Sequence, residues 1–519
     1  MTEKNGFSPW TIALIVSIAT FMEVLDTTIT NVSLSHIAGT LSASQNESTW
    51  VLTSYLVANG IVLPISGWLS NVIGRKRYFM LCIAGFTAAS FACGAANSMT
   101  MLVIFRVLQG LAGGGLQPTQ QAIILDAFPP AKRGSVFAIT GITLIAAPII
   151  GPTLGGLITD NFSWRWIFYI NVPVGIIALM LVGMAVHADQ PNTNKKLSID
   201  YIGLSLIALG LGSMQIVLDK GEQNDWFESN FILFSAIFSA ACLMSAVFWL
   251  IRQKDPIVDL RLVAERSFGL SCVLIFFTGF SLYAGSALLP LLVQSQYGYD
   301  ATLAGMILSP GGFAVIFLMP VAGKLTGYVQ SRYLIFIGLL LTAFGMWTTS
   351  HITPQTDYPH FVMMRILQVL GLPFLFVPIS TMAFMHIPAA KNNKASALYA
   401  LSRNLGGSIG IAIISTYVVR HGQIHQNFLA AHLTPENSVY QNMLARYTAY
   451  FTVHGYNAMD AASLAIGKIY ATLQQQATIL SYNDGFLLLA GLIGIMAMVT
   501  AFLPANNPKT GGAAASAAH

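Results

Sequence analysis

The first long apolar stretch of the chain holds two acidic residues, Glu23 and Asp26, three positions apart. An acid at the centre of a membrane-spanning helix costs about 2.5 to 3.5 kcal/mol on insertion scales, so its presence indicates a function. Glu23, Asp26, Thr30 and Ser33 follow steps of three and four and therefore share one helical face. Because two carboxylates on one face repel each other when both are ionised, such a pair suits the uptake and release of a proton.

A second polar face runs along the fourth apolar stretch, which contains Arg106, Gln109, Gly113, Gln117 and Gln120 at helical spacing. Polar faces within lipid must face each other or water. Arg106 stays charged, so it would favour the carboxylate of Asp26 when close and let this acid take a proton when displaced. We predict Asp26 as the main proton carrier, with Glu23 as accessory acid. In the alternative interpretation, Asp26 and Arg106 form an ion pair that merely locks the fold.

The chain contains an internal repeat, since "RVLQ" at residues 106–109 aligns with "RILQ" at 365–368 under a shift of 259 positions. Internal repeats are typical of secondary transporters, whose substrate site lies between the repeats near the membrane midplane. The repeat pairs the first six spans with the last six and leaves residues 200–251 without a counterpart. We predict a substrate cavity between the halves, lined by Thr30, Gln109, Gly113, Gln117, Gln120, Arg365, Gln368, Arg403 and Asn404.

Composition identifies an integral membrane protein. Of the 519 residues, 55% are hydrophobic and only 9% are charged, whereas soluble domains have about 25% charged residues. Fourteen apolar stretches are long enough to span a bilayer, which predicts an all-α protein with 14 transmembrane helices. Most Lys and Arg residues fall in the termini and in alternate loops, so both termini are predicted to be cytoplasmic. The net charge of +5 follows from this topology and indicates no nucleic-acid partner.

The chain divides into five predicted regions. Residues 1–190 form an N-terminal six-helix bundle, 191–266 carry two extra spans, and 267–420 with 484–504 form a C-terminal six-helix bundle. Residues 421–483 form an external helical hairpin, and residues 505–519 form a disordered cytoplasmic tail. "TPEN" at 434–437 predicts a helix start in the hairpin. An apolar stripe follows that no span covers, formed by Ala462, Ile466, Ile469, Leu473, Ala477 and Leu480.

His421 and His425 lie one helical turn apart beside the hairpin. Two imidazoles without a nearby carboxylate or Cys are a poor metal site. We therefore expect these histidines to be solvated and predict no bound metal.

Two glycine-containing stretches suggest gating or close packing. In "GWLSNVIGRKR", residues 67–77, Gly67, Gly74 and Arg75 could form a gate, or a tight turn followed by cations that set the topology. In "APIIGPTLGG", residues 147–156, the small residues Gly151, Gly155 and Gly156 allow close helix packing. Pro152 removes one helical hydrogen bond and should bend this span.

These stretches, with "LDTTITNVSL" at 25–34, "WVLTSYL" at 50–56 and "WRWIFYINVPVG" at 164–175, resemble the signatures of the major facilitator superfamily. They are similar in particular to its fourteen-span drug:proton antiporters and to EmrB-type inner-membrane pumps of tripartite efflux systems. The resemblance implies two six-helix bundles plus two extra central helices, a proton-leak barrier at the fifth span, and a bacterial inner-membrane location. It also implies a periplasmic adaptor protein and an outer-membrane channel as partners. Asn71 stands where the family has Asp, and Ala147 where it has Gly.

The expected function is proton-driven antiport of lipophilic drugs by alternating access within membrane lipid, with the proton gradient as energy source and no cofactor. The second half has no intramembrane acid to match Glu23 and Asp26, which predicts neutral or weakly acidic substrates. The alternatives are an antiporter that works without an adaptor and a non-transporting receptor. The sequence has no G-x-x-x-x-G-K-[ST] loop, so an ATP-driven pump is excluded. We expect a secondary transporter and not an enzyme.

Overall fold

The computed structural model describes residues 7–129, 132–186, 200–253 and 256–506, which are built from helices joined by short connections. Within these ranges, thirteen helices are long and apolar enough to cross a membrane, and a fourteenth is bent by 41° between Pro148 and Ile150. The predicted all-α architecture with 14 spans is therefore confirmed. Residues 191–199 and all but the first two residues of the predicted tail lie outside the described ranges.

In chain order the spanning helices are α1 Pro9–Val32, α2 Trp50–Ile73, α3 Arg75–Gly94, α4 Met99–Ala127, α5 Arg133–Asn161, α6 Trp166–Ala185, α7 Tyr201–Lys220, α8 Asn230–Arg252, α9 Arg266–Tyr297, α10 Ala301–Leu325, α11 Ser331–Thr349, α12 Tyr358–Ala383, α13 Asn392–Ala430 and α14 Ala458–Val499. Short helices Leu34–Thr40 and Gln45–Ser48 connect α1 to α2. Helix Ser438–Val453, here named the outer helix, connects α13 to α14.

The two halves, α1–α6 and α9–α14, pack against each other mainly along α5 with α10 and along α2 with α13, and α12 and α13 also contact α5 and α4. Along α5 and α10, the hydroxyl oxygens of Thr153 and Ser309 lie 2.7 Å apart, and Thr302 donates to Asp160 over 2.7 Å. Helix α2 meets α13 at Gly67, where a Cβ atom would lie 2.6 Å from the carbonyl oxygen of Asn393. Small residues thus let the backbones of the halves approach closely.

The two extra helices lie on the outside of the N-terminal half. Helix α7 packs on α2, where Thr53 hydrogen-bonds to Asp219, and α8 packs on α7 through a 2.8 Å hydrogen bond from Ser239 to the carbonyl of Gly210. The opposite face of α8 carries exposed apolar side chains such as Phe234 and Met244. In a membrane this face of α8 would contact lipid. The connection from α7 to α8 also reaches the C-terminal half, because Trp226 Nε1 donates to Thr416 Oγ1 of α13 over 3.0 Å.

The external segment between residues 421 and 483 is built mainly from the outer ends of α13 and α14, which are 39 and 42 residues long. Only the outer helix is separate, and it begins at Ser438 rather than at Pro435, the first helical residue expected after the predicted N-cap Thr434. Asn437 causes the difference, because its side chain accepts hydrogen bonds from the amides of Val439 and Tyr440 and so caps the helix one turn later.

Half of the predicted apolar stripe of this segment is covered. Ile469, Leu473 and Ala477 are buried, whereas Ile466 remains 51% exposed. The expectation that no element covers the stripe is therefore wrong for its central residues. The sequence pattern missed this because burial of the stripe depends on how α14 packs on other helices, which periodicity along one helix does not specify.

Candidate functional site

Asp26 lies at the centre of a buried hydrogen-bond network within the N-terminal half. Its Oδ2 accepts a 2.6 Å bond from Arg106 Nη1 of α4. Its Oδ1 accepts bonds from Gln109 Nε2 at 3.0 Å and from Asn171 Nδ2 of α6 at 2.7 Å. Asp26 is 1% exposed. The carboxylate is thus held by one cation and two amides from two neighbouring helices, which is the compensation that a buried charge requires.

Arg106 is fixed from several sides and is fully buried. Its Nε donates to the backbone carbonyl of Val51 over 3.0 Å, and its Nη1 also contacts Gln109 Oε1 at 2.8 Å. Its Cζ lies 4.3 Å from the centre of the Tyr55 ring and 5.6 Å from that of Phe168. Its Nη2 has no hydrogen-bond partner among the described residues. The guanidinium therefore forms a preorganised partner for Asp26 that retains one free donor.

Glu23 lies in a separate network and has no direct cationic partner among the described residues. Its Oε1 accepts from Tyr55 Oη and Asn59 Nδ2, both at 3.1 Å, and its Oε2 accepts from Gln117 Nε2 at 2.6 Å. The side-chain oxygen of Gln117, Oε1, in turn accepts a hydrogen bond from Nη2 of Arg403 on α13. The Gln117 amide thus connects an acid of the N-terminal half to a cation of the C-terminal half.

The sequence missed several partners of the two acids. Tyr55 and Asn59 come from α2, Asn171 comes from α6, and Ser90 of α3 accepts a 2.7 Å bond from Gln109. Tyr55 and Asn171 lie within stretches that carry the family resemblance, so their polarity inside otherwise apolar helices was a usable signal. Their contacts with particular carboxylates depend on the packing of four helices, which periodicity along one helix does not specify.

The C-terminal half contains a second network with the same layout. Arg365 Nη1 donates to Gln368 Oε1 over 3.0 Å, and Gln368 Nε2 donates to Thr349 Oγ1 over 2.9 Å. Arg365 Nη2 donates to Ser286 Oγ of α9 over 2.8 Å, whereas its Nε has no hydrogen-bond partner in the part of the chain that the structure describes. Arg365 is 1% exposed, and among the described residues no carboxylate forms a salt bridge with it.

The other predicted cavity residues are spread along the helices rather than gathered at one point. Thr30 bonds to the backbone carbonyl of Asp26, and a Cβ atom at Gly113 would meet the Tyr55 hydroxyl at 2.9 Å. Asn404 accepts from Arg403 over 3.3 Å. Gln120 donates to Ser17 over 2.7 Å and does not contact either acid.

The predicted gating stretch lies where α2, α3 and α13 meet at the ends that we predict to be cytoplasmic. Gly74 has φ of 90°, a conformation that favours glycine, and joins α2 to α3. Arg75 forms an ion pair with Asp126 at the end of α4, and Asp126 also accepts a 3.0 Å bond from Asn392 of α13. Asn71, which replaces the family's Asp, hydrogen-bonds to Asn393. The contacts that join the two halves here are made by the side-chain amides of Asn392 and Asn393, whereas the ion pair lies within the N-terminal half.

The small residues of α5 bring it against α1. A Cβ atom at Gly151 would collide with Thr28, and one at Gly155 would lie 3.1 Å from the carbonyl oxygen of Ile29. Gly156 is also buried. The bend of α5 lies one turn before Pro152, where the proline lacks the N–H that would bond to residue 148.

Comparison with known proteins agrees with this architecture. The family model for the Major Facilitator Superfamily matches residues 16–411. The chain is 36% identical to the multidrug export protein EmrB of Haemophilus influenzae over 495 residues, which cover 94% of each chain. It is 34% identical to the fatty acid resistance protein FarB of Neisseria gonorrhoeae over 510 residues, which cover 98% of each chain.

Among solved structures, the proton:xylose symporter XylE has a TM-score of 0.58 at 12% identity, with 97% of this chain and 98% of that chain covered. This likeness concerns the fold alone. Together with the sequence matches, it shows that the chain belongs to the Major Facilitator Superfamily, resembles its EmrB-type pumps over nearly its whole length, and is a transporter rather than an enzyme.

Proposed function

We propose that this protein is a proton-driven antiporter that exports lipophilic drugs by alternating access. The observation that carries the proposal is the buried ion pair between Asp26 and Arg106, with its 2.6 Å contact at the core of the N-terminal half. The multidrug-export name of the H. influenzae relative supports the drug substrates. We infer a location in the bacterial inner membrane, with both termini cytoplasmic.

Proton exchange at Asp26 changes what holds Arg106 in place. Separating a buried ion pair by removing one charge costs about 3 to 5 kcal/mol, because the other charge remains buried and uncompensated. Protonation of Asp26 removes that charge, so it frees the Arg106 guanidinium to take another partner or position. A rearrangement of α1 against α4 thereby becomes dependent on the proton, which is the coupling that an antiporter requires.

Glu23 supplies a second link, between protonation and the relative position of the halves. An ionised carboxylate only accepts hydrogen bonds, whereas a protonated one also donates. Protonated Glu23 would therefore compete with Gln117 as a donor and weaken the bridge from Glu23 through Gln117 to Arg403. We assign Glu23 the accessory role, because its partners are neutral side chains rather than a cation.

A buried arginine in the C-terminal half supports a preference for weakly acidic substrates. Arg365 is buried and is held by Gln368 and Ser286 without a counter-ion among the described residues. A buried cation gains strongly from an incoming carboxylate, since charge-assisted hydrogen bonds to guanidinium are about twice as strong as neutral ones. The name of the FarB relative, a fatty acid resistance protein, is consistent with a lipophilic acid as substrate.

Drug-induced proton release from purified protein in a lightly buffered solution tests the proposal. Asp26→Asn keeps the shape of the side chain but cannot cycle a charge, so it should release no protons on drug addition while retaining drug binding. Glu228→Gln, which removes an acid exposed between α7 and α8, is the matched control and should behave like the parent. Proton release from Asp26→Asn equal to that of the parent would reject Asp26 as carrier. A parent protein that binds drugs but moves none across a vesicle membrane would support the receptor alternative.

We further propose that the pump works with a periplasmic adaptor and an outer-membrane channel, and that the adaptor docks on the external segment. Val453 and Met459 are more than four-fifths exposed there, and exposed apolar residues of this kind suit a helical partner. Val453→Ser with Met459→Ser should reduce co-purification of the adaptor, whereas Phe227→Ser, an exposed apolar residue in the α7–α8 connection, should not. Full efflux in cells without any adaptor would instead favour an antiporter that acts alone.

A further inference from the structure

Three potential metal ligands meet where α13 and α14 leave the predicted membrane region. His421 and His425 lie one turn apart on α13, and the sequence around them contains no acid. The fold brings Asp484 of α14 to them across 59 positions of the chain. Its Oδ2 lies 3.0 Å from His421 Nδ1 and 2.7 Å from His425 Nε2. The prediction that these histidines are simply solvated is therefore wrong, because it considered only their neighbours along the chain.

The arrangement has the geometry of a three-ligand metal site. The ligand atoms of the three side chains all lie within 4.8 Å of one another. Zinc bonds of 2.0 to 2.1 Å in a tetrahedron separate neighbouring ligand atoms by about 3.3 Å. Opening the two histidine–aspartate contacts by a few tenths of an ångström would make room for an ion. Two histidines four residues apart on one helix, with a third ligand from elsewhere, are a recurring way of binding zinc.

The residues around these three side chains also favour the binding of a cation. Asp484 forms no salt bridge with Lys or Arg among the described residues, so its negative charge remains available to a metal. The Tyr417 ring stacks on His421 with 3.8 Å between ring centres and an angle of 25°, which restrains the imidazole. The three side chains are between 26% and 32% exposed. A fourth coordination position could therefore be filled by water from the outer solution.

We propose that His421, His425 and Asp484 bind a divalent transition-metal ion of the zinc type. Imidazole ligands select zinc, nickel, cobalt or copper over magnesium and calcium, which prefer all-oxygen sites. The ion would join α13 to α14 at the membrane surface, where both helices continue into the external segment. It would act as a structural clamp that fixes the spacing of these two helices and hence the position of the outer helix. The proposal is independent of the proton chemistry at Asp26.

Cobalt binding to the purified full chain tests the site directly. The protein should carry no polyhistidine tag and should be stripped with a chelator before Co²⁺ is added. The parent should show visible absorption bands typical of four-coordinate cobalt, saturating at one equivalent and displaced by Zn²⁺. His425→Gln should weaken binding about tenfold or more, since even the loss of a supporting ligand contact has an effect of this size. Binding by His425→Gln equal to that of the parent would overturn the proposal.

The same segment offers a matched control. His432 and His454 are exposed and bond only to backbone carbonyls within their own helices or helix ends. The double variant His432→Gln with His454→Gln should bind cobalt like the parent. Loss of the signal in this variant would mean that scattered surface histidines bind the ion, which contradicts the proposed site.

Thermal unfolding gives a second readout that does not depend on spectroscopy. A ligand that binds only the folded state raises the apparent Tm, so Zn²⁺ should raise the Tm of the parent and not that of Asp484→Asn. Asp484→Asn retains a side-chain oxygen that can accept from both histidines, and should therefore fold without metal. An equal Zn²⁺ effect on the Tm of both proteins would reject Asp484 as a ligand.

Discussion

Arg106 and Arg365 occupy matching positions in the two halves, and each is paired with a glutamine three residues later. The difference lies in the partner that the first helix of each half supplies. Helix α1 brings Asp26 to Arg106, whereas α9 brings Ser286 to Arg365. A shift of 260 positions aligns Asp26 with Ser286, so one fold position holds an acid in one half and a hydroxyl in the other.

This single difference suggests a division of labour. The N-terminal half contains the ion pair to which we assign the proposed proton exchange. The C-terminal half contains a buried positive charge, which is costly unless a ligand compensates it. A substrate carboxylate could provide that compensation during transport. Related scaffolds can therefore serve energy coupling in one half and substrate selection in the other.

The largest effect is expected from removing each arginine in turn. Arg106→Ala leaves Asp26 buried without its cation, so it should abolish efflux of all drugs and reduce the free energy of unfolding by about 3 to 5 kcal/mol. Arg365→Ala removes an uncompensated charge and should abolish efflux of lipophilic acids only. Accumulation assays with one acidic and one neutral substrate, together with thermal unfolding in detergent, would measure both effects. Loss of neutral-drug efflux in Arg365→Ala would contradict the division.

Introducing an acidic residue beside Arg365 should make the polar network of the C-terminal half resemble that of the N-terminal half. Ser286→Asp places a carboxylate beside Arg365, which would then compete with an acidic substrate and lower its efflux by about tenfold, the change expected from one charge-assisted hydrogen bond. Ser286→Asn has a similar size without the charge and is the control. Neutral substrates should be exported normally by both variants. Equal effects of Asp and Asn on the acid would point to side-chain size rather than charge.

The two glutamines provide a finer comparison. Gln109 donates to Asp26, whereas Gln368 has no carboxylate partner among the residues that the structure describes. Gln109→Leu removes a hydrogen bond to a charged group, worth about 1.5 to 3 kcal/mol, and should therefore reduce drug-induced proton release by about tenfold. Gln368→Leu should leave drug-induced proton release unchanged. Matching changes in both variants would indicate a general packing effect.

A smaller effect is expected at Glu23. Glu23→Gln retains an oxygen that can accept from Tyr55 or Gln117 but cannot cycle a charge, so efflux should fall only several-fold if Asp26 carries the main proton. Parallel transport assays of Glu23→Gln and Asp26→Asn in vesicles with an imposed proton gradient would rank the two acids. Complete loss of transport in Glu23→Gln alone would reverse the proposed assignment.

The helices and their polar faces were predictable because hydrophobic length and helical spacing are local properties. Periodicity placed Asp26 and Arg106 on separate polar faces and proposed that these faces meet. The sequence did not predict that Asn171 binds Asp26, that Gln117 bridges Glu23 to Arg403, or that Asp484 joins two histidines. Each of these contacts joins helices that are remote in sequence, so it depends on how the helices pack. The start of the outer helix was misplaced for a local reason, since Asn437 is a better cap than Thr434.

The unbroken passage of α14 from the membrane into the external segment has a mechanical consequence. At 1.5 Å per residue, the helix from Ala458 to Asp484 extends about 40 Å, and a rigid rod of this length moves its tip by about 0.7 Å for every degree of tilt. Motions of the C-terminal half would thus be amplified at the outer end without any separate signalling element. The external segment would serve as a lever that reports the state of the transporter to whatever is bound there.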